Sequence, residues 1–359
     1  MSALAADQIL LHEKAKTKLS QFAEAGCWLT KKSFEQCSSE ATAAYKSRLF
    51  SGKKMLDLSA GLGIDDIAFS SSFQQIVALD TDKLLNVLVR RNHQILNIQN
   101  ITRLDTDAET YLSKCTEGYD LIYADADRRN QQGRSYGLSD ASPDILRLLP
   151  LIFRHTGQLL LKLSPMFDIQ ESIRLLKGVS EIYVVERKGE VKELLTRVTP
   201  IENDNPIIHA VSCDEKGQVI RQYRNNAGSV NTPSQVHTYK GFLYEPSAAL
   251  IKSGLTAKYL ADLGMSMADS SSYLAISELL HADFFGRKFR IKEMFEFNKR
   301  LFKAFIEEEN IHQANITIRN FPDSVDSFRK KWKLNDGGDK YLFLTTMGGK
   351  KWCIYAQGL

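Results

Sequence analysis

Between about residues 54 and 213 the sequence alternates short apolar runs with amphipathic segments, and this alternation restricts the possible folds most strongly. "KMLDLSA", "QIVALD", "ITRLD", "YDLIYAD", "GQLLLKLS", "EIYVVER" and "IIHAVSC" read as strands. The segments between them, such as "LLNVLVRRNHQIL" and "SPDILRLLPLIFRH", read as helices. Strands alternating with helices build βαβ units and a mostly parallel sheet, so the fold class is α/β. The unbroken apolar stretches "LIYA" and "LLLKL" suit strands covered on both faces.

The flanks differ. Residues 1–47 are rich in helix formers and are expected to be a helical segment, with Ser33 capping a helix and Gln36 as its capping-box partner. The stretch "DEKGQVIRQYRNNAGSVNTPSQ" is polar and marks a boundary near residues 225–236. The expected division is therefore a helical segment 1–47, an α/β domain 48–230, a small linker or ferredoxin-like domain 236–286, and an α+β domain 287–359. The last part should close with a hairpin, "YLFLTTMGGKKWCIYA", turning at Gly348–Gly349.

A chain of 359 residues exceeds one typical core, in keeping with several domains. Five scattered cysteines without CxxC spacing suggest reduced thiols and a cytoplasmic location, and no residue pattern suggests a metal site. The N-terminus lacks a basic region ahead of its apolar residues, which argues against a signal peptide. No apolar run approaches the ~20 residues needed to span a bilayer, so no membrane partner is expected. A net charge of +4 permits a nucleic-acid partner without arguing for one.

"LDLSAGLGIDD" places Asp57 at the end of the first strand, followed by Gly61, Gly63 and a helix. Glycines suit a turn that bends sharply while a ligand approaches its backbone. Asp80 ends the second strand, where a carboxylate can bind ribose hydroxyls. Asp107 follows the third, where an acceptor can meet an adenine amino group, and Asp125 ends the fourth, beside the switch point of such sheets. A dinucleotide fingerprint would need glycine at position 66, which is Asp66. Pyrophosphate would meet Asp65 and Asp66, whereas S-adenosylmethionine carries no phosphate and has two cationic groups. Aspartates at such positions also cap helices and close turns, so the reading rests on their combination with the glycine pair.

On these residues the chain resembles the class I S-adenosylmethionine-dependent methyltransferases, and more narrowly a bacterial family with a THUMP-like C-terminal domain. The resemblance is carried by "FEQCSSEATAAYK", "LDLSAGLGID", "YADADRR", "LKLSPMFDI", "GEVKELL", "YEPSAALIKSG" and "ITIRNFPDSVDSFRKKWKLNDGGDKYLFLTT". It implies a Rossmann-like seven-stranded methyltransferase sheet and a small α+β THUMP-like domain. It further implies that Asp57, Gly61 and Gly63 bind the methionine half of S-adenosyl-L-methionine, Asp80 the ribose and Asp107 the adenine. Gln36, Ser38, Ser39, Thr42 and Lys46, just ahead of the first strand, could reach the methionine carboxylate; a capped, packed helix is the alternative.

The acceptor end is expected at "YADADRRN". Asp125 is the candidate catalytic residue, accepting a proton or hydrogen bond from the attacking atom. Arg128 and Arg129 are candidates for phosphate contacts, although an ion pair with Asp127 is an alternative. Family members carry a proline after the strand-end aspartate, where this chain has Ala126. Between Phe284 and Leu334 there are 12 basic and 7 acidic residues, and Arg329, Lys330, Lys331 and Lys333 form the densest patch. Basic residues with interleaved aromatics suit RNA, as does the THUMP resemblance, so tRNA or rRNA is the expected partner. Two rival readings stay open: a small-molecule or protein methyltransferase, and an inactive cofactor-binding RNA-binding or assembly protein.

Overall fold

In the computed structural model, residues 3–125, 129–130, 133–134, 143–228, 240–269 and 271–359 are described. The chain divides into two units, Met1–Ala227 and Gly228–Leu359. Among the described residues, no helix is long and apolar enough to cross a membrane.

All seven expected strands form in the first unit: β1 (Gly52–Asp57), β2 (Phe73–Asp80), β3 (Ile101–Asp105), β4 (Leu121–Asp125), β7 (Leu159–Leu163), β8 (Val179–Arg187) and β10 (Ile207–Cys213). A two-stranded ribbon, β5 (Arg129–Asn130) and β6 (Gly133–Arg134), comes after β4. Two further strands, β9 (Glu190–Val198) and β11 (Val219–Asn226), raise the large sheet to nine, in the order β11-β10-β8-β9-β7-β4-β1-β2-β3. This corrects the expected count of seven. β9 pairs antiparallel with both β7 and β8, yet it begins with Glu190, Lys192 and Glu193, which hide its strand pattern. β11 pairs only with β10 and is partly exposed along its whole length, so it carries little apolar signal. β11 thus lies within the polar stretch, just ahead of the division at Ala227/Gly228.

β1 pairs in parallel with β2 on one side and β4 on the other, so the chain reverses direction across the sheet at that point. Loops leaving the C-terminal ends of β1 and β4 diverge there and open a crevice. One face of the sheet packs Met55, Phe69, Phe73, Tyr123, Leu160 and Leu195 into a core. In a second cluster, Leu11, Leu19, Phe22 and Leu29 from the N-terminal segment meet Leu62, Ile64 and Val89. The N-terminal segment thus belongs to the first unit, and its helices sit close to the β1 turn.

The helix expected from Ser33 onward is two helices, Lys31–Gln36 and Glu40–Ser47. Thr30, not Ser33, caps the first: its hydroxyl accepts from the Ser33 backbone N–H, while the Ser33 hydroxyl accepts from Thr30. Ser39 caps the second by accepting from Thr42 N–H at 3.2 Å. The break between them frees Ser38 to point elsewhere.

In the second unit, one seven-stranded sheet has the order β13-β14-β12-β15-β18-β17-β16. Its strands are β12 (Phe242–Pro246), β13 (Ser266–Met267), β14 (Ala275–Ser277), β15 (Gly286–Glu296), β16 (Asn315–Arg319), β17 (Lys340–Met347) and β18 (Lys350–Gly358). β12 pairs with β15, so β12, β13 and β14, which fall within the separate small domain expected at 236–286, share a sheet with the C-terminal strands. Gly348 and Gly349 have φ of 56° and 76°, the left-handed pair that a tight β17–β18 hairpin requires.

Candidate active site

The crevice between the ends of β1, β2, β4 and β7 is a cavity of about 1220 Å³. Its floor is the turn from Leu58 to Gly63. Gly61 (φ 49°) and Gly63 (φ 78°) are both left-handed. At Gly61 a β-carbon would meet only the Ser59 carbonyl oxygen, at 4.0 Å, leaving the backbone open to a ligand. At Gly63 it would lie 3.3 Å from Arg103 Nη1, so this glycine also makes room for a buried cation.

That cation organises the turn. Arg103, on β3, is buried; its Nη2 donates to the Gly61 carbonyl and its Nε to Asn86 Oδ1, each at 2.8 Å. It lies 3.8 Å from Asp66 and 3.9 Å from Asp80. Asp80 in turn accepts from the Gly61 N–H at 3.0 Å and the Asp82 N–H at 2.8 Å. The strand-end carboxylate is thus held against the glycine turn, with one edge in the cavity.

Asp57 lies beneath the turn and accepts from Ser59 N–H at 2.8 Å. Its other neighbour is the Asp66 carboxyl, whose two oxygens meet no N–H or hydroxyl donor. Burial, and then the Asp66 charge, push the Asp57 carboxyl well above the usual carboxylate range. Burial also raises Asp66 to about 6, against the pull of Arg103. The two carboxyls face each other beneath the turn, and Asp57 shapes it from below. Asp107 borders the cavity from the exposed helix start of Ala108–Lys114. Hydrogen bonds from the Thr110 backbone and hydroxyl lower its pKa.

The end of the cavity at β4 and β7 is built from parallel neighbours. Asp125 on β4 and Lys162 on β7 are register partners, and Lys162 Nζ donates to Asp125 Oδ2 at 2.5 Å. The Asp125 N–H donates to Ser59 Oγ at 2.8 Å, tying this strand end to the β1 turn. Below them lies an ionic cluster. Fully buried Lys46 donates to Glu193 at 2.7 and 3.0 Å and to Ser38 Oγ at 3.1 Å, and lies 3.1 Å from Asp65. Ser38 and Tyr123 hydroxyls both donate to Asp65 Oδ2, at 2.8 and 2.7 Å. Burial opposes charge on Asp65, yet Lys46, Lys162 and these two hydroxyls hold its pKa below the ordinary value. Burial likewise opposes charge on Lys162, but Asp125, Asp65 and Glu193 raise its pKa.

The structure therefore gathers Asp57, Gly61, Gly63, Asp80, Asp107, Ser38 and Asp125 around one cavity. Ser39 serves as a helix cap, and Lys46 is sealed beneath the floor among carboxylates. Arg128 lies outside the described residues, and Arg129 is described only by its backbone in β5. Arg103, Lys162 and Glu193 were not among the expected site residues. Their common signal is a charge inside an otherwise strand-like run: "ITRLD", "LLLKL" and "VKELL".

Over 99% of this chain and 90% of its own, a protein from Porphyromonas gingivalis W83, provisionally assigned as a methyltransferase, is 32% identical with a TM-score of 0.90. Residues 286–357 match the family described as THUMP domain-like. The chain belongs to the bacterial class I methyltransferase family with a THUMP-like C-terminal domain. Two shorter structures each align with 45% of the chain at a TM-score of 0.33. One, from Streptococcus mutans and solved with SAH, is 15% identical over 96% of its length; the other, an rRNA methylase from Streptococcus thermophilus, is 12% identical over 94%. No curated protein matches.

Within the THUMP-like domain the basic patch separates into two kinds of residue. Lys330, Lys331 and Lys333 are exposed, Lys331 within 3.5 Å of Asp323, whereas Arg329 is half-buried and pairs with Asp336. The aromatics of the patch turn inward: Phe328 is fully buried, and Trp332 packs on Phe302 with ring centroids 4.7 Å apart. The patch thus separates: its lysines face outward, while these two rings pack on the domain core.

The burial of Asp66 beneath the turn has a measurable consequence. Asp66 has a folded pKa of about 6 against an ordinary value of 3.8. The stability tied to its protonated form is therefore complete below about pH 4 and is lost as pH rises through about 6. Asn keeps the neutral form. Relative to wild type, Asp66→Asn should gain on the order of 2 kcal/mol between about pH 4 and pH 7 in urea unfolding. A difference that stays constant across this range would contradict the arrangement.

Proposed function

We propose that the chain is an S-adenosyl-L-methionine-dependent methyltransferase that acts on a structured RNA, tRNA or rRNA, by direct in-line transfer. The observation that carries the reading is the glycine turn held against Asp80 at the mouth of an acid-rich cavity. Glu35, Asp80, Asp82, Asp107 and Asp125 border it, against Lys32, Lys162 and Lys192. The helix after the turn carries Asp66 where a dinucleotide fingerprint needs its third glycine, so that fingerprint is incomplete. A ligand with a sulfonium and an ammonium fits the same carboxylates.

In this reading Asp80 receives the ribose hydroxyls, Asp107 the adenine amino group, and the Gly61–Gly63 backbone the methionine half. Ser38, Asp57 and Asp65 support that end. The bound cofactor supplies an activated methyl group. The protein then needs to align the acceptor, an effect that can supply ~7–11 kcal/mol, and to manage one proton. In this reading Asp125 accepts it. A covalent route through cysteine is disfavoured: Cys37 borders the cavity, but burial raises its pKa and its thiol donates to the Phe34 carbonyl. RNA as substrate rests on the analogy of the THUMP-like domain and on the exposed Lys330, Lys331 and Lys333. Arg128 and Arg129 are the proposed phosphate contacts beside the acceptor, and the cytoplasm is the proposed location.

Calorimetry tests the pocket. Wild type should bind S-adenosylmethionine, and Asp80→Ala should weaken binding by about tenfold or more, the worth of hydrogen bonds to a charged group. Absence of binding by wild type, or unchanged affinity in the variant, would contradict the assignment. For the RNA surface, replacing Lys330, Lys331 and Lys333 by Gln should weaken tRNA binding in filter assays and flatten its salt dependence by up to about 3 log units per log salt. Unchanged affinity and slope would remove this patch from the RNA interface.

A further inference from the structure

We infer that the methyl acceptor is a ribose hydroxyl oxygen of RNA, held and activated by Lys162 together with Asp125; this rests on the RNA methyltransferase reading above.

Charge development on the acceptor decides between chemistries. A neutral nitrogen that takes a methyl group becomes more positive until it loses its proton, and an adjacent ammonium opposes that change. A hydroxyl oxygen behaves in the opposite way. It must shed a proton as it attacks, and its alkoxide character is stabilised by a nearby cation and hydrogen-bond donor. Lys162 is such a cation. It borders the cavity, sits on the strand beside Asp125, and contacts Asp125 at 2.5 Å. Asp125, Asp65 and Glu193 together keep it charged. The sequence "DADRR" also lacks the proline and aromatic that present a carbonyl to an amine.

The buried ions below fix this pair in place. Lys46 locks Glu193 and Asp65 together, and both carboxylates act on Lys162 from beneath. Lys46 is fully buried and does not line the cavity, so it is a positioning residue. Lys162 keeps two further N–H groups for an acceptor oxygen, since an ammonium has three donors. In the reaction the hydroxyl oxygen forms a bond to the methyl carbon, and the electron pair of the broken carbon–sulfur bond stays on sulfur. The hydroxyl proton passes to Asp125 and then to water.

The test uses the full chain, methyl-labelled S-adenosylmethionine and total RNA from a strain lacking the gene, with alkaline digestion of the product. Alkali cleaves RNA only beside a free 2′-hydroxyl, so label in alkali-stable dinucleotides is the expected result. Label in mononucleotides would overturn the hydroxyl assignment while leaving the RNA methyltransferase reading intact. Unlabelled RNA, with cofactor binding demonstrated by calorimetry, would overturn both. Lys162→Met should lower kcat by about 100-fold or more. Its S-adenosylhomocysteine affinity should stay within about threefold, and Lys162→Arg should recover part of the rate. Wild-type kcat in Lys162→Met would remove this residue from the chemistry. Independently, nucleoside mass spectrometry of the deletion strain should show a missing 2′-O-methylnucleoside, restored by wild type and not by Lys162→Met. A missing base-methylated nucleoside instead would contradict the inference.

Discussion

Everything at the acceptor end depends on one fully buried ammonium. Lys46 joins the helix Glu40–Ser47 to Glu193 on β9 and to Asp65 on the helix after the glycine turn. Removing one partner of such a buried cluster typically costs about 3–5 kcal/mol, because the remaining charges lose their compensation. An apolar replacement of the whole set could be equally stable, so stability alone does not explain it. Its consequence is placement. The cluster sets negative charge under Lys162 and ties three elements distant in sequence to the floor of one cavity.

The two ends of the cavity are organised by different cations. At the glycine turn, Arg103 lies between Asp66 and Asp80 and holds the Gly61 carbonyl, leaving the Gly61 N–H for Asp80. At the far end, Lys162 faces Asp125. Between them, the hydrogen bond from Asp125 N–H to Ser59 couples the acceptor strand to the turn. A shift of the turn is therefore felt at Asp125 without any large motion. This coupling suits a reaction governed by alignment rather than by covalent chemistry on the protein.

The apolar strands and the glycine turn are legible in the sequence because burial on both faces leaves unbroken hydrophobic runs. β9 and β11 are not, for opposite reasons. β9 is central but carries Glu193 inward to meet Lys46, and β11 is an edge strand with few side chains to bury. The strand-end aspartates are legible as positions, whereas their roles depend on depth. Asp80 and Asp125 border the cavity half-buried, while Asp57 borders it almost fully buried against the Asp66 carboxyl. Arg103, Lys162 and Glu193 each stand as an isolated charge in a strand, and only the fold shows that they converge on carboxylates or a lysine from other segments. Trp332 and Phe328 illustrate the reverse: among basic residues they resemble a stacking surface, yet they close a core.

The central claim is that one cavity holds the methyl donor along the turn and presents its reactive end to Asp125 and Lys162. A crystal structure of the full chain with S-adenosylhomocysteine tests this most directly. The account predicts ribose hydroxyls on Asp80, adenine beside Asp107, and the sulfur facing the Asp125–Lys162 pair. A ligand bound elsewhere, or one whose sulfur faces away from that pair, would contradict it.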